Sequence, residues 1–300
     1  MKKKMFLALT CLFTLGIVKS VAQTAVAALH HNGNVTLYSG GQLQEALDAA
    51  EQGDTIYLSE GSFAGRVNVD KGQVIIGSGE KTIIHDYIHV NTSSDELGYN
   101  CVLDGLNIIG DIQISGKMRG MVISQCQFNN LKASDTSPIE ATIIRSYCKK
   151  TLTPLYFSNL SVVSSKINKI DYNNSNGTSS FLNCNIKNVY TNVDPIFLFT
   201  NCIINNYSSG GYTYYCLIGS NSETLNGQGC WFQTNDVLDE ELNCNYVDIN
   251  NCIGNDGTVV GVTGGDNPYT LTPSTPHVAS HKIEVDKAGQ KLNVTLTIEN

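Results

Sequence analysis

The chain has 300 residues, of which 41% are hydrophobic and only 15% charged, and a formal net charge of −8. Soluble proteins average about 25% charged residues, whereas disordered chains combine high charge with little apolar content, which argues against disorder. The acidic balance and the lack of any basic stretch also argue against a nucleic-acid partner.

Residues 1–22 join Lys2, Lys3 and Lys4 to an apolar run from Met5 to Val18 and the small-residue site Ser20-Val21-Ala22. This is the pattern of a secretory signal peptide, with an apolar core too short to span a bilayer as a helix. No other stretch reads as a transmembrane segment. Export to the periplasm, the cell surface or the extracellular space is therefore expected. Cleavage would leave 15 basic and 27 acidic residues, a net charge of −12.

A lead segment over residues 23–38 carries His30 and His31 and is expected to be mobile, as chain termini are. Leu43, Ala46, Leu47 and Ala50 then recur at helical spacing and stop at Gly53, predicting one short amphipathic helix. A stacked repeat needs such a cap over its first coil. Gly77-Ser78-Gly79-Glu80-Lys81-Thr82 looks superficially like a phosphate loop, but Glu80 stands where glycine is required and Ile83-Ile84 continues a strand, so a tight turn is the better reading. In His85-Asp86-Tyr87-Ile88-His89, a strand would place the two histidines about 13 Å apart, too far to hold one metal.

From about residue 100 onward the chain repeats itself. Five cysteines directly follow an asparagine, at Cys101, Cys184, Cys202, Cys244 and Cys252, and several share a frame: Cys126-Gln127-Phe128-Asn129, Cys184-Asn185-Ile186-Lys187, Cys202-Ile203-Ile204-Asn205. Taking 106, 126, 148, 165, 184 and 202 as frame positions gives steps of 20, 22, 17, 19 and 18 residues. Short alternating apolar stretches bounded by Asn, Ser and Gly, with no helical pattern between them, imply an all-β coil of three- to five-residue strands. Coils stacked at about 4.8 Å make a parallel β-helix spanning residues 39–272. Like charges repeated in such a stack would repel, whereas asparagine amides can bond along it. Asn129, Asn168, Asn205 and Asn255, each third after a frame residue, are expected to form such ladders.

The nine cysteines beyond the signal sequence have no paired CxxC or CxxH spacing, so no metal site is expected. Their odd number requires at least one free or intermolecular thiol in an exported protein, and small buried side chains are the favoured reading. After a Pro/Ser/Thr linker at 273–276, the alternation of Leu292, Val294, Leu296 and Ile298 predicts a C-terminal strand within residues 273–300, too few to hold a separate core.

Gly41-Gln42-Leu43-Gln44-Glu45-Ala46, Gly53-Asp54-Thr55-Ile56-Tyr57-Leu58, Gly61-Ser62-Phe63, Val74-Ile75-Ile76-Gly77 and Leu103-Asp104-Gly105-Leu106 resemble the entry segment and early coils of pectin-lyase-like proteins. Asp256-Gly257-Thr258, Gly264-Gly265 and Pro268-Tyr269 resemble the tail of exported bacterial β-helix proteins, many without an assigned activity. The resemblance covers about residues 40–260. It implies an all-β fold, a right-handed single-stranded parallel β-helix with a short N-terminal capping α-helix.

Polysaccharide lyases of that fold use a lysine or arginine base and often calcium held by carboxylates. Arg145, Lys149 and Lys150 are the closest approach to a basic cluster, so they are the catalytic candidates, with Ca2+ relevant only to a lyase. Asp104 and Asp111 are possible hydrolase carboxylates, and Asp236, Asp239, Glu240 and Glu241 read as a solvated acidic loop. The aromatic supply is richer. Tyr207, Tyr212, Tyr214 and Tyr215, with Tyr190 and Trp231, are the candidate glycan-stacking residues, since sugar C–H faces pack on aromatic rings. The resulting expectation is an exported protein that binds a polysaccharide or surface glycan, or mediates adhesion, without a resident cofactor; the alternative is a polysaccharide lyase or glycoside hydrolase.

Overall fold

A computed structural model describes residues 25–92, 100–133, 139–154, 157–172, 177–191, 196–208, 211–220, 227–272, 277–286 and 291–299. The expected signal sequence, residues 1–22, and the expected linker at 273–276 lie outside these residues. The described chain is a parallel β-solenoid whose coils contribute strands to a first sheet of twelve strands and a second of fourteen. Coil after coil, a first-sheet strand turns sharply into a second-sheet strand, and the path bends back to the next coil.

The sharp turn explains the repeat. Gly105, Gln125, Arg145, Ser164, Asn183, Asn201, Tyr215 and Gly229 stand at successive turns, all with φ between +46° and +70°. Asparagine and glycine tolerate this left-handed backbone best, which is why asparagine precedes cysteine at 183 and 201. The next residue of each coil (Leu106, Cys126, Ser146, Ser165, Cys184, Cys202, Cys216 and Cys230) points into the solenoid. The pairing Asn107↔Gln127↔Tyr147↔Lys166↔Asn185↔Ile203↔Leu217↔Trp231 fixes this register. The frame residue of the third coil is therefore Ser146, and Cys148 is two positions on, in register with Phe128 and Ile167. With that correction the steps become 20, 20, 19, 19, 18, 14 and 14, and the irregular 22 and 17 vanish.

After Leu106 in the first of these coils, cysteine and serine interchange in the column because the position takes a small hydrogen-bonding side chain. Ser146 Oγ donates to the Ile144 carbonyl at 2.9 Å and accepts the Cys126 N–H at 3.1 Å. Ser165 Oγ repeats both contacts with Val163 O and Ser146 N, at 2.8 and 3.1 Å. Cys216 does the same through sulfur, to Tyr214 O at 3.3 Å and from Cys202 N at 3.4 Å. All nine described cysteines are free thiols. Burial pushes Cys101 and Cys148 up to about 12.

Apolar side chains fill the interior on both sides of this column. Phe181, Phe197 and Phe199 stack across adjacent coils, with the Phe181 and Phe199 rings 4.9 Å apart and nearly parallel. The helix α1 (Leu43–Ala49) buries Leu43, Ala46 and Leu47 over the first coil. It stops at Ala50, four residues before Asp54, and Gly53 serves instead as a turn at φ +81°. Lys71 Nζ donates to the carbonyls of Asp48 and Ala50 at 2.7 and 3.0 Å, closing the helix C-terminus with a positive charge.

The lead segment departs from expectation. Val26–His31 and Asn34–Ser39 form an antiparallel hairpin whose first strand pairs antiparallel with Thr55–Leu58. Its ladder bonds hold it, and His31 Nδ1 meets Asp54 Oδ2 at 2.8 Å. At the other end, Lys291–Glu299 is not a lone strand; it pairs antiparallel with His277–Asp286.

Between them runs a strap, residues 233–272, which climbs back along the sharp turns. Asn205 Oδ1 accepts the Val237 and Leu238 N–H groups at 2.8 and 2.9 Å, and Asn185 Oδ1 accepts that of Val262 at 3.1 Å. Val237, Leu238, Cys252 and Val260 form a second small core with Ile203 and Leu217, which take apolar character on the outer side of the last coils. Asn205 thus anchors the strap, and Asn255 belongs to the strap itself. Asn129 and Asn168 do bond along the stack, but to backbone carbonyls of the preceding coil, Ile109 O at 2.5 Å and Lys149 O at 3.0 Å. The low charge has its place here: in the column 129, 149, 168, 187, 205 the lysines Lys149 and Lys187 alternate with asparagines, keeping like charges about two coils apart.

Candidate functional site

The end of the strap meets the early coils at a cleft of about 500 Å³, lined by Glu60, Ser78, Glu80, Lys81, Tyr269, Leu271 and Thr272. That volume falls within the roughly 300–1,000 Å³ typical of ligand sites. The solenoid register sets one wall. Gly61 pairs with Thr82, so Glu60 and Lys81 lie side by side, with Lys81 Nζ 2.9 Å from Glu60 Oε1. Glu80 sits in the 3-10 turn Gly79–Lys81 and accepts a hydrogen bond from Gln127 Nε2. The turn amides are already used: Gly79 N–H goes to Gly105 O at 2.8 Å and Ser78 N–H to Thr82 Oγ1 at 2.8 Å. With those two amides engaged, the cleft presents the Glu60 and Glu80 carboxylates as acceptors beside the Lys81 ammonium.

The strap supplies the other wall. Gln125 Nε2 donates to the Thr272 carbonyl, tying the end of the strap to the coils, and Tyr269 N–H donates to Val262 O at 2.8 Å, folding the strap's last stretch on itself. Lys166 Nζ lies 5.1 Å from the centroid of the Tyr269 ring. Burial raises the Tyr269 phenol above its usual range, and the nearby Glu80 charge adds to the shift. The chemistry on offer is an aromatic and aliphatic surface, Tyr269 and Leu271, beside carboxylate, hydroxyl and carbonyl acceptors. Such a surface suits a ligand rich in hydroxyl donors with an apolar face.

Of the basic candidates, Lys149 comes nearest. It is half-buried on the strand Tyr147–Thr153, with Nζ 3.5 Å from Asn107 Oδ1. Burial lowers its ammonium below the usual lysine range, while the charge of Glu80 pulls it back up. Lys150, the next residue of that strand, is exposed. Arg145 occupies a sharp turn at φ +49°, with its Nε buried and lacking a hydrogen-bond partner among the described residues. Burial also raises the carboxyl of Asp104, against the opposing effects of Ser124 and Arg145, at the turn next to Gly105. Asp111 pairs with Lys132 at 3.1 Å.

The aromatic candidates are split among five environments. Tyr207 is a core residue, 7% exposed, with its ring edge-on to Phe199 at 5.7 Å, so it is corrected from a stacking platform to an interior side chain. Trp231 is half-buried against the second core, and Tyr215 is half-buried at a sharp turn at φ +51°. Tyr190 is exposed on the second sheet, under Lys169 Nζ at 5.1 Å. Tyr212 and Tyr214 share the outer side of one first-sheet strand. In the acidic loop Asp236, Glu240 and Glu241 are exposed, as expected; Glu240 also pairs with Lys187 at 2.6 Å, and the Glu241 carbonyl accepts from Lys166 Nζ at 3.0 Å.

Sequence reasoning missed Glu60, Glu80, Lys81 and Tyr269 as a group. Glu80 and Lys81 were visible only as a failed phosphate loop, and Tyr269 only as part of a tail. Among the described residues no cluster of three or more His, Cys, Asp or Glu is arranged to hold a metal ion, and no helix is long and apolar enough to cross a membrane. Comparison with family models, curated proteins and solved structures returns no match for this chain.

Proposed function

We propose that this protein is an exported glycan-binding solenoid whose seat for saccharide is the cleft between Tyr269 and the Glu60–Lys81 pair. The observation that carries the reading is the meeting of the Tyr269 ring with the Glu60 and Glu80 carboxylates around one open space of about 500 Å³. Sugars satisfy both walls at once, laying C–H faces on the ring and hydroxyls on the carboxylates. Glu60 is held by Lys81 and Glu80 by Gln127, so both carboxylates stand fixed at the wall of the cleft. The reading is of binding without catalysis, with adhesion to a glycan-bearing surface as the biological outcome. Titration with soluble oligosaccharides, followed by calorimetry on the mature chain and on Tyr269→Ala, tests it. Saturable binding that falls at least tenfold in the variant supports the reading; equal binding by both removes the cleft from it.

A second reading, a polysaccharide lyase or glycoside hydrolase, draws on Lys149, whose depressed ammonium beside Glu80 resembles a tuned base. New unsaturated or reducing ends on incubation with polysaccharide, lost in Lys149→Met, would favour it over binding alone.

A further inference from the structure

The outer face of the first sheet carries a second feature, well away in sequence from the cleft residues. Five successive strands, Phe157–Val163, Thr178–Leu182, Ile196–Thr200, Tyr212–Tyr214 and Gly227–Gln228, contain no charged residue on either side of the sheet. In a chain with 27 acidic residues this is a sizeable neutral field. From Asn159 to Gln228 the strands pair in parallel with no register shift, so their outward side chains form straight columns.

One column runs Ser161, Ser180, Leu198, Tyr212 and its neighbour Val163, Leu182, Thr200, Tyr214. Tyr212 is 55% exposed, and Leu182 and Leu198 are each 38% exposed. Adjacent columns stand about 7 Å apart along the strand, and adjacent residues within a column about 5 Å apart. Beneath them Phe181, Phe197 and Phe199 are close-packed, which holds the surface rigid. Leu182, Leu198 and Tyr212 thus place exposed apolar side chains on three adjacent strands, interleaved with serine and threonine hydroxyls.

We infer that this face is a flat platform for the broad side of an uncharged polysaccharide chain, a second contact separate from the cleft. The inference rests on the glycan-binding reading and names the substrate class for it. A polyanionic chain would find no cation on these strands, whereas a neutral chain desolvates only hydroxyls, for which Ser161, Ser180 and Thr200 stand among the apolar side chains. The tyrosines supply rigid stacking area at low conformational cost.

The test is depletion of the purified mature chain by insoluble polysaccharides, with microcrystalline cellulose and insoluble mannan as neutral probes and calcium-gelled polygalacturonate as the acidic one. The wild type is expected on at least one neutral solid, with the bound fraction falling tenfold or more in Tyr212→Ala. The exposed Leu198→Ser gives a second, independent loss, and circular dichroism checks that both variants fold. Oligosaccharide binding at the cleft should be unchanged in both and lost in Tyr269→Ala. Equal depletion of wild type and Tyr212→Ala would overturn the platform while leaving the cleft intact. Retention on polygalacturonate alone would also overturn it. So would a dimer of the wild type that Tyr212→Ala converts to monomer, because the face would then be a contact between copies of the chain.

Discussion

Replacing Ser146 by alanine probes the column that organises the solenoid. The hydroxyl accepts the Cys126 N–H at 3.1 Å and donates to Ile144 O at 2.9 Å. Ile144 O keeps a second donor, the Gln125 N–H at 3.0 Å, so its loss is small. The Cys126 N–H is left in the interior without that acceptor, at a cost of about 1–3 kcal/mol for an unsatisfied buried donor. The expected destabilisation of Ser146→Ala is therefore about 2 kcal/mol. Ser146→Cys should cost under about 1 kcal/mol, because Cys216 already accepts the equivalent N–H through sulfur at 3.4 Å. Urea titration followed by circular dichroism measures both, with the slopes compared to establish that a single transition is being read. Hydrogen exchange at the Cys126 amide gives a local readout, faster in the alanine variant only. A loss below about 0.5 kcal/mol in Ser146→Ala, or equal losses in the two variants, would refute the account of why cysteine and serine interchange here.

Two further predictions concern the strap. Burial alone would raise the carboxyls of Asp239 and Asp256, but hydrogen bonds from Asn243 and Thr258 outweigh it and hold both below the usual aspartate range. A depressed carboxyl contributes stability above its unfolded pKa of about 3.9 and loses it as pH falls through the lower folded value; limited proteolysis within residues 233–272 should therefore accelerate below about pH 4 before the solenoid loses its β signal, and a simultaneous loss would contradict this. At Gly265, φ is +73° and a Cβ would run into the Asn183 amide, so Gly265→Ala should destabilise strap docking by about 1–3 kcal/mol, read as a lower midpoint for strap cleavage in a thermal series, whereas an unchanged midpoint would contradict the close approach.

Much of the fold was legible because repetition amplifies weak signals. Individual strands here are as short as the two residues Asn107–Ile108, yet the alternation recurs in every coil. The frame slipped at 148 because cysteine was read as the marker, whereas the position selects a small polar donor and accepts serine. Spacing alone could have exposed the error, since the true steps never lengthen toward the C-terminus, whereas the series 20, 22, 17 does. Asn205 was recognisable as special but not for the right reason, and Asn185 was not singled out: their amides hold the strap, contacts spanning 32 and 77 residues that no local pattern encodes.

The candidate site was less legible for the same physical reason. Glu60, Glu80 and Tyr269 are brought together by stacking and by the returning strap, so their separation along the chain hides the cleft. Tyrosine density did draw attention to 207–215, but alternation divides it, sending Tyr207 inward and leaving Tyr212 on the surface. Composition cannot make that division without the register.

Glycan binding at the cleft is tested most directly by isothermal titration of the mature chain with a panel of soluble neutral and acidic oligosaccharides, paired with end-group analysis of the same mixtures. Saturable binding of at least one sugar, weakened tenfold or more in Tyr269→Ala and unaccompanied by new chain ends, is the predicted result. Absence of binding across the panel, or new chain ends that depend on Lys149, would contradict it.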